Sequence, residues 1–427
     1  MQKGNILIKG ASEVVTCSGS HAKFGKEMAD LNVIHDGSVV IRDGVIEAVG
    51  KTEDIIKKYN EKDFQVIDAT GKAVLPGFVD SHTHLVFGGY RAEEFSWRLR
   101  GDNYMEIMER GGGILSSVKA TKAATKAELY YAAMRRLDSM LSFGVTTVEG
   151  KSGYGLDLDT EIKQLEVMTE VDDNHPIDVV KTFLGAHAVP PEYKGKEDEF
   201  IDFMIEDVLP IVAEGQLATF CDIFCEKKVF SVDQSRRLLR KAQELGMKVK
   251  LHADEIIQLG GAELAAELGA VSADHLLQAS DEGLKQMRDK GVVATLLPGT
   301  AFSLKENYAR ARYMIDNGNA VALATDLNPG SCFTESIPLI FALATLYMKM
   351  TTEEAITAFT INGAAALDMA DTIGSLDVGK KGDVIILEFP SYHFIPYHIG
   401  VSTVEKVVKN GILVFDKEKE CYINVSK

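Results

Sequence analysis

Basic charge is scarce in this sequence, and so are cysteine, proline and long apolar runs. Lys and Arg number 46 against 63 Asp and Glu, a formal charge of −17. Nucleic acid and anionic membrane both call for a basic face, so neither is an expected partner. Such a charge suits a soluble protein kept apart by its own repulsion. Five cysteines (Cys17, Cys221, Cys225, Cys332, Cys421) in 427 residues argue against a disulfide framework. The opening MQKGNILIKG lacks the apolar core of a secretory signal. The greasiest segment, IPLIFALATLYMKM, falls short of the ~20 residues of a membrane span and reads as a buried helix. The expected location is the cytoplasm. The chain has ten prolines and shows no low-complexity linker.

Apolar residues make up 46% and charged residues 26%, the balance of an ordinary globular protein. Residues 1–75 look β-rich. GSVVIRDGVIEAVG alternates around an Asp43-Gly44 turn, and FQVIDATGKAVLPG carries another turn at Thr70-Gly71. Residues 372–427 repeat the pattern in KKGDVIILEF and VEKVVKNGILVF, with a turn at Asn410-Gly411. Neither end has strands enough for a good sheet alone. Together they predict one small β-sandwich domain, which requires the termini to meet.

Residues 76–371 have another rhythm. Eight apolar runs are separated by helical patterns: PGFVDSHTH, GVTTVEGKSGYG, VVKTFLGAHAV, ATFCDIFCE, KVKLHADE, VSADHLL, VVATLLPG and AVALATDLNPG. Helices start and stop where caps predict, Ser231 to Gly246 and Ser280 to Gly291 among them. Strands alternating with helices imply parallel βαβ units, and eight imply an α/β fold of the (β/α)8 barrel kind. In such barrels chemistry sits at the C-terminal strand ends.

Five of the ten histidines fall at those ends: His82, His84, His187, His252 and His275. His21, His35, His175, His393 and His398 read as surface or structural residues. His82 and His84 lie two apart on a strand, so they share a face. The pair alone suits a metal site or two satisfied core histidines. With His252 after the fifth strand and Asp326 after the eighth, one chemical reading covers the set. Three nitrogens and one oxygen hold a single metal ion and leave room for a water whose pKa falls towards roughly 7. Glu255, three residues past His252, then moves protons. His275 polarises the carbonyl under attack or holds the hydroxide, and Asp326 can share the proton traffic.

Other residues bear on the substrate. Arg91 is suited to a carboxylate, although a salt bridge with Glu93 or Glu94 explains it as simply. Tyr154, between two glycines, is a loop tip or a residue that closes over a ligand. His187 ends the third strand. Asn328, Gly330 and Ser331 form a turn that can offer N–H groups to an anion or to water. Cys221 and Cys225 share a strand face and read as small buried residues rather than ligands. ILSSVKATKAATKAE, preceded by glycines 111–113, is placed as a cover over the mouth.

PGFVDSHTH, the histidines after the fifth and sixth strands and the Asp after the eighth resemble the amidohydrolase superfamily. The resemblance implies a metal-bearing barrel with a β-sandwich built from both termini. Some members carry two metals bridged by a carboxylated lysine on the fourth strand. ATFCDIFCE has no such lysine, so one zinc or iron ion, divalent or trivalent, is expected, and Lys151 carries little weight as a bridge. HTHLVFGGYRAEEF, MERGGGI, EGKSGYGLD, FLGAHAVPPEY, LHADE and ATDLNPGS resemble the branch that opens an imidazolone ring with a propionate tail in histidine breakdown. That implies substrate contacts from Arg91, Tyr154, His187, Glu255, Asn328, Gly330 and Ser331. A homodimer is compatible with this reading. The competing expectations are a deaminase of a nucleobase-like ring and a barrel scaffold without chemistry.

Overall fold

The computed structural model describes residues 4–102, 110, 112–419, 421 and 422. In chain order, the N-terminal strands are β1 (Ile6–Val15), β2 (Val33–Arg42), β3 (Val45–Lys51), β4 (Gln65–Asp68) and β5 (Ala73–Pro76). The central strands are β6 (Phe78–Asp80), β7 (Val145–Lys151), β8 (Asp178–Ala186), β9 (Phe220–Cys225), β10 (Lys248–Ala253), β11 (Ser272–His275), β12 (Val293–Leu296) and β13 (Val321–Leu323). The C-terminal strands are β14 (Val384–Leu387), β15 (Val404–Lys409), β16 (Ile412–Asp416) and β17 (Cys421–Tyr422).

The two ends of the chain form one nine-stranded mixed sheet. The join is β14 against β5, antiparallel, with Ile385 opposite Leu75. Asp43-Gly44 turns β2 into β3, with φ of 50° and 78°, and Asn410-Gly411 turns β15 into β16, with φ of 48° and 73°. Both pairs have the positive φ of the tight turns that match strand twist. The Thr70-Gly71 turn differs: β4 and β5 do not pair with each other but both run parallel to β1. Ile6, Val39, Ile67, Val74, Val384, Val408 and Leu413, drawn from strands along most of the sheet, share one apolar cluster. Ile46 N–H donates to Lys380 O and Gly382 N–H to Gly44 O, so the β3 edge is tied to the residues just before β14, from which three strands separate it in the sheet, and the sheet curls over this core.

The other eight strands form a parallel sheet in strict sequence order, β6 through β13. Helices between them pack a second, larger core against the strands. The capped segments form as expected. Ser231 accepts from Gln234 N–H ahead of helix Val232–Glu244, and Ser280 accepts from Gly283 N–H ahead of helix Asp281–Lys290. IPLIFALATLYMKM yields the buried helix Ile337–Leu346. No helix among the described residues is long and apolar enough to cross a membrane.

Candidate active site

The barrel is stitched shut between its first and last strands. Asp326 N–H donates to His82 O at 3.0 Å, and His84 N–H donates to Leu327 O at 2.8 Å. One layer deeper, the Asp80 carboxylate accepts the N–H and hydroxyl of Thr325 at 2.9 and 2.6 Å. This seam sets His82 and His84 beside Asp326, whose Oδ1 is 3.5 Å from His82 Nε2 and 3.7 Å from His84 Nε2.

The other strand-end histidines converge on the same point. The His82 ring is 4.6 Å from that of His252 and 5.5 Å from that of His275. His187 stacks on His84 at 4.8 Å with an 11° tilt. At the strand ends, candidate ligand atoms lie within 4.8 Å of one another in the overlapping triads His82–His84–Asp326, His82–His252–His275 and His84–His187–His252, and His82 forms a further such group with the deeper Glu149 and Asp274. His82, His84, His252, His275 and Asp326 are each at most 3% exposed as residues.

These residues fit a metal ion. His82 Nε2, His84 Nδ1, His252 Nε2, His275 Nδ1 and Asp326 Oδ1 are buried without a hydrogen-bond partner, and His252 Nδ1 has only the 3.0 Å contact with Asp222 Oδ2. Each orphan of this kind costs about 1–3 kcal/mol, so a cluster of them asks for an ion or water among them. Burial, then Lys151 and the neighbouring imidazoles, holds His82 well below its ordinary pKa, and burial does the same for His84 and His252. Neutral imidazole is the form that ligates. Burial pushes Asp326 up to about 7, against the hydrogen bonds of Thr300 and Asn328. A coordinated cation would hold it ionised. The backbone is also strained here: Asp326, His275 and Leu276 have φ of 53°, 74° and 59°.

Several supporting residues escaped the sequence reading. Asp274 Oδ2 lies 2.6 Å from His82 Nδ1, and Asp222 Oδ2 lies 3.0 Å from His252 Nδ1. A carboxylate behind each imidazole is the usual partner of a metal-ligating histidine. Their only signal in the sequence is a charged residue at a period-two position inside an apolar strand. Glu226 Oε2 accepts from Ile256 N–H at 2.8 Å, and Asp254 accepts four N–H groups from Leu259 to Ala262. Together they shape the loop bearing Glu255. That carboxyl is 3.6 Å from His275 Nδ1, and burial, with Asp326 and Glu226 nearby, pushes it up to about 8. Lys151 is ion-paired with Asp222 and Glu149 at 2.8 and 3.1 Å and stays an ammonium, which leaves it no lone pair for a metal.

At the mouth, Arg91 does form the salt bridge with Glu94, at 2.8 Å, and Glu94 also accepts Gly113 N–H. Its guanidinium nevertheless lies against Gly330, where a Cβ would meet Nη1 at 2.0 Å. Arg136 donates to Leu85 O at 2.7 Å and Gln164 to Val86 O at 2.7 Å, fixing the path from His84 to Arg91.

Two expectations need correction, and a third gains structure. Tyr154 is no loop tip: it is 3% exposed, because Glu161 accepts the N–H groups of Gly153, Gly155 and Leu156 and pins the loop inward. The N–H groups of Gly330 and Ser331 are not offered outward, since Asn328 Oδ1 accepts both at 2.9 and 2.8 Å. The cover segment is a helix, Ile114–Ala123, bound to Gly88 N–H through Thr121 Oγ1 and to Lys163 at its end. Gly111 and residues 108–109 of MERGGGI lie outside the described residues. Cys221 and Cys225 are buried thiols, and burial pushes Cys225 up to about 11.

A seam-closed parallel barrel with histidines and an aspartate at its strand ends is the framework of the amidohydrolase family. That family's sequence model matches residues 73–414, and the chain belongs to it. The family is one of metal-dependent hydrolases. Over nearly its whole length the chain is similar to imidazolonepropionases. One from Clostridium tetani is 67% identical over 417 residues, 98% of this chain and 100% of the relative. One from Parabacteroides distasonis is 60% identical over 413 residues, 97% and 99% of the two. Solved structures share the fold at low identity. A triazine hydrolase variant has a TM-score of 0.76 at 17% identity, covering 97% of this chain and 95% of that one. A zinc-bound adenosine deaminase from Xanthomonas campestris has a TM-score of 0.69 at 18% identity, covering 99% and 95%.

Proposed function

We infer that this chain hydrolyses 4-imidazolone-5-propanoate to N-formimino-L-glutamate, a step of histidine degradation. The observation that carries the reading is a pair of features at one barrel mouth. The orphaned His/Asp cluster lies at the strand ends, and Arg91 is laid over Gly330 beside it. The first suits activation of water, the second a propionate tail.

His82, His84, His252 and Asp326 are the proposed ligands of one zinc or iron ion, which when bound lowers the pKa of a water and polarises a carbonyl. Arg91 holds the tail carboxylate, with Tyr154 alongside. His187, its Nδ1–H donating to Gly153 O at 3.1 Å, turns its other nitrogen to the ring. Glu255 takes the proton of the attacking water as the new C–O bond forms at the ring carbonyl. His275 stabilises the oxygen that gains charge. When the ring C–N bond breaks, Glu255 returns the proton to the departing nitrogen. Asn328, Gly330 and Ser331 form the turn on which the Arg91 guanidinium rests. We assign this chemistry to a barrel unit of residues 76–371, with residues 1–75 and 372–427 as the sheet unit.

The test is an assay in which the labile imidazolone is made in place from urocanate. N-formimino-L-glutamate is the expected product. Its absence with metal-replete protein would overturn the reading.

A further inference from the structure

Beneath the imidazoles, five charged side chains are 0% exposed: Glu149 and Lys151 on β7, Asp222 on β9, Lys250 on β10 and Asp274 on β11. The proposed function uses none of them directly. Their arrangement is unequal. Lys151 Nζ is 2.8 Å from Asp222 Oδ2, 3.4 Å from Asp274 Oδ2 and 3.1 Å from Glu149 Oε1. The same two aspartate oxygens face the imidazoles, Asp222 Oδ2 at 3.0 Å from His252 Nδ1 and Asp274 Oδ2 at 2.6 Å from His82 Nδ1. One ammonium thus stands a single oxygen away from two histidines, one just past β6 and one on β10, strands that are not neighbours in the sheet.

We propose that Lys151 is a positioning residue that sets two metal-binding imidazoles at once, by fixing the carboxylates that orient them. The proposal rests on the reading of His82 and His252 as ligands. A carboxylate only accepts, so it orients each ring with Nδ1–H towards it and leaves the Nε2 lone pair for the ion. Asp222 Oδ1 also accepts His252 N–H at 3.1 Å, and Asp274 Oδ1 accepts from Ser272 Oγ at 2.7 Å. Each aspartate is therefore held at both oxygens, and the ammonium is the contact they share. Lys250 is differently engaged. It is 2.8 Å from Glu149 Oε2, donates to Ser81 O at 3.1 Å, and reaches Asp274 only at 4.0 Å.

The sign of the effect separates positioning from bulk charge. Lys151 is a cation below a cation site. By Coulomb repulsion alone, removing it tightens metal binding. If it positions ligands, removing it loosens binding. The experiment measures the Zn2+ dissociation constant by competition with a chromophoric chelator, for wild type, Lys151→Met, Lys151→Gln and Lys250→Met. Circular dichroism reports folding. Both Lys151 variants are expected to bind Zn2+ about 10–100-fold more weakly than wild type, the range for losing an orienting partner, and more weakly than Lys250→Met. Unchanged or tighter binding overturns the proposal, as does a loss equal to that of Lys250→Met. Failure of both Lys151 variants to fold assigns the lysine to the barrel framework and also overturns it. Wild-type protein that binds no Zn2+ would instead defeat the reading of the site before any variant is compared.

Discussion

The guanidinium of Arg91 lies so close over Gly330 that a Cβ there would stand 2.0 Å from Nη1. Only glycine leaves the arginine that position. Gly330→Ala is expected to push Arg91 aside and raise KM for the imidazolone. Arg91→Ala should raise it more, by roughly 10–100-fold, the worth of a charge-assisted hydrogen bond of about 1.5–3 kcal/mol. Steady-state kinetics check both. A KM unchanged in Arg91→Ala would remove the arginine from the carboxylate site.

Asp274 touches His82 Nδ1 at 2.6 Å and no solvent. Asp274→Asn replaces a pure acceptor with a group that can turn and donate. Metal affinity is expected to fall about 10–100-fold, read by elemental analysis after dialysis against a graded chelator.

Glu255 should govern the acid side of the pH profile. Burial, then Asp326 and Glu226, raises its pKa to about 8. A raised carboxyl pKa keeps the group protonated at higher pH, and a base must be ionised. Turnover should therefore fall as pH drops through that value. A bound cation pulls the other way, so the limb is expected between 4.5 and about 8. Glu255→Gln should keep its metal, lose at least ~10²-fold in kcat and lose the limb. A limb below the ordinary carboxylate range would assign the base elsewhere.

Asn362 ties the segment before β2 to the barrel. Its Oδ1 accepts Lys23 N–H at 2.7 Å, and its Nδ2 donates to Lys23 O and Val321 O at 3.0 and 2.9 Å. Asn362→Ala leaves those buried backbone groups short of partners. A loss of about 2 kcal/mol or more is expected in urea unfolding, with metal content per folded chain unchanged.

The strand ends were legible because strand period and histidine chemistry coincide: His82 and His84 are two apart, and His252 and Asp326 each close an apolar run. The eight-strand order followed from the same alternation. What could not be read is which partner each polar group meets. Asp222 sits among cysteines and phenylalanines, and nothing local says that it meets His252 across a strand. Tyr154 stayed open between a loop tip and a residue that closes over a ligand because the carboxylate that pins its loop, Glu161, comes from the following helix. Gly330 and Ser331 looked like free donors because Asn328 takes their N–H groups with a side chain whose direction no sequence pattern reveals. Thr70-Gly71 carries the turn residues of a hairpin, yet β1 captures both flanking strands in parallel.

The most direct test titrates metal back into stripped protein while N-formimino-L-glutamate formation is followed from urocanate. With His82, His84, His252 and Asp326 as one site, activity should be absent at the start, rise linearly, and level off at about one equivalent per chain. Full turnover in stripped protein, or a plateau at about two equivalents, would contradict a single metal centre at the barrel seam.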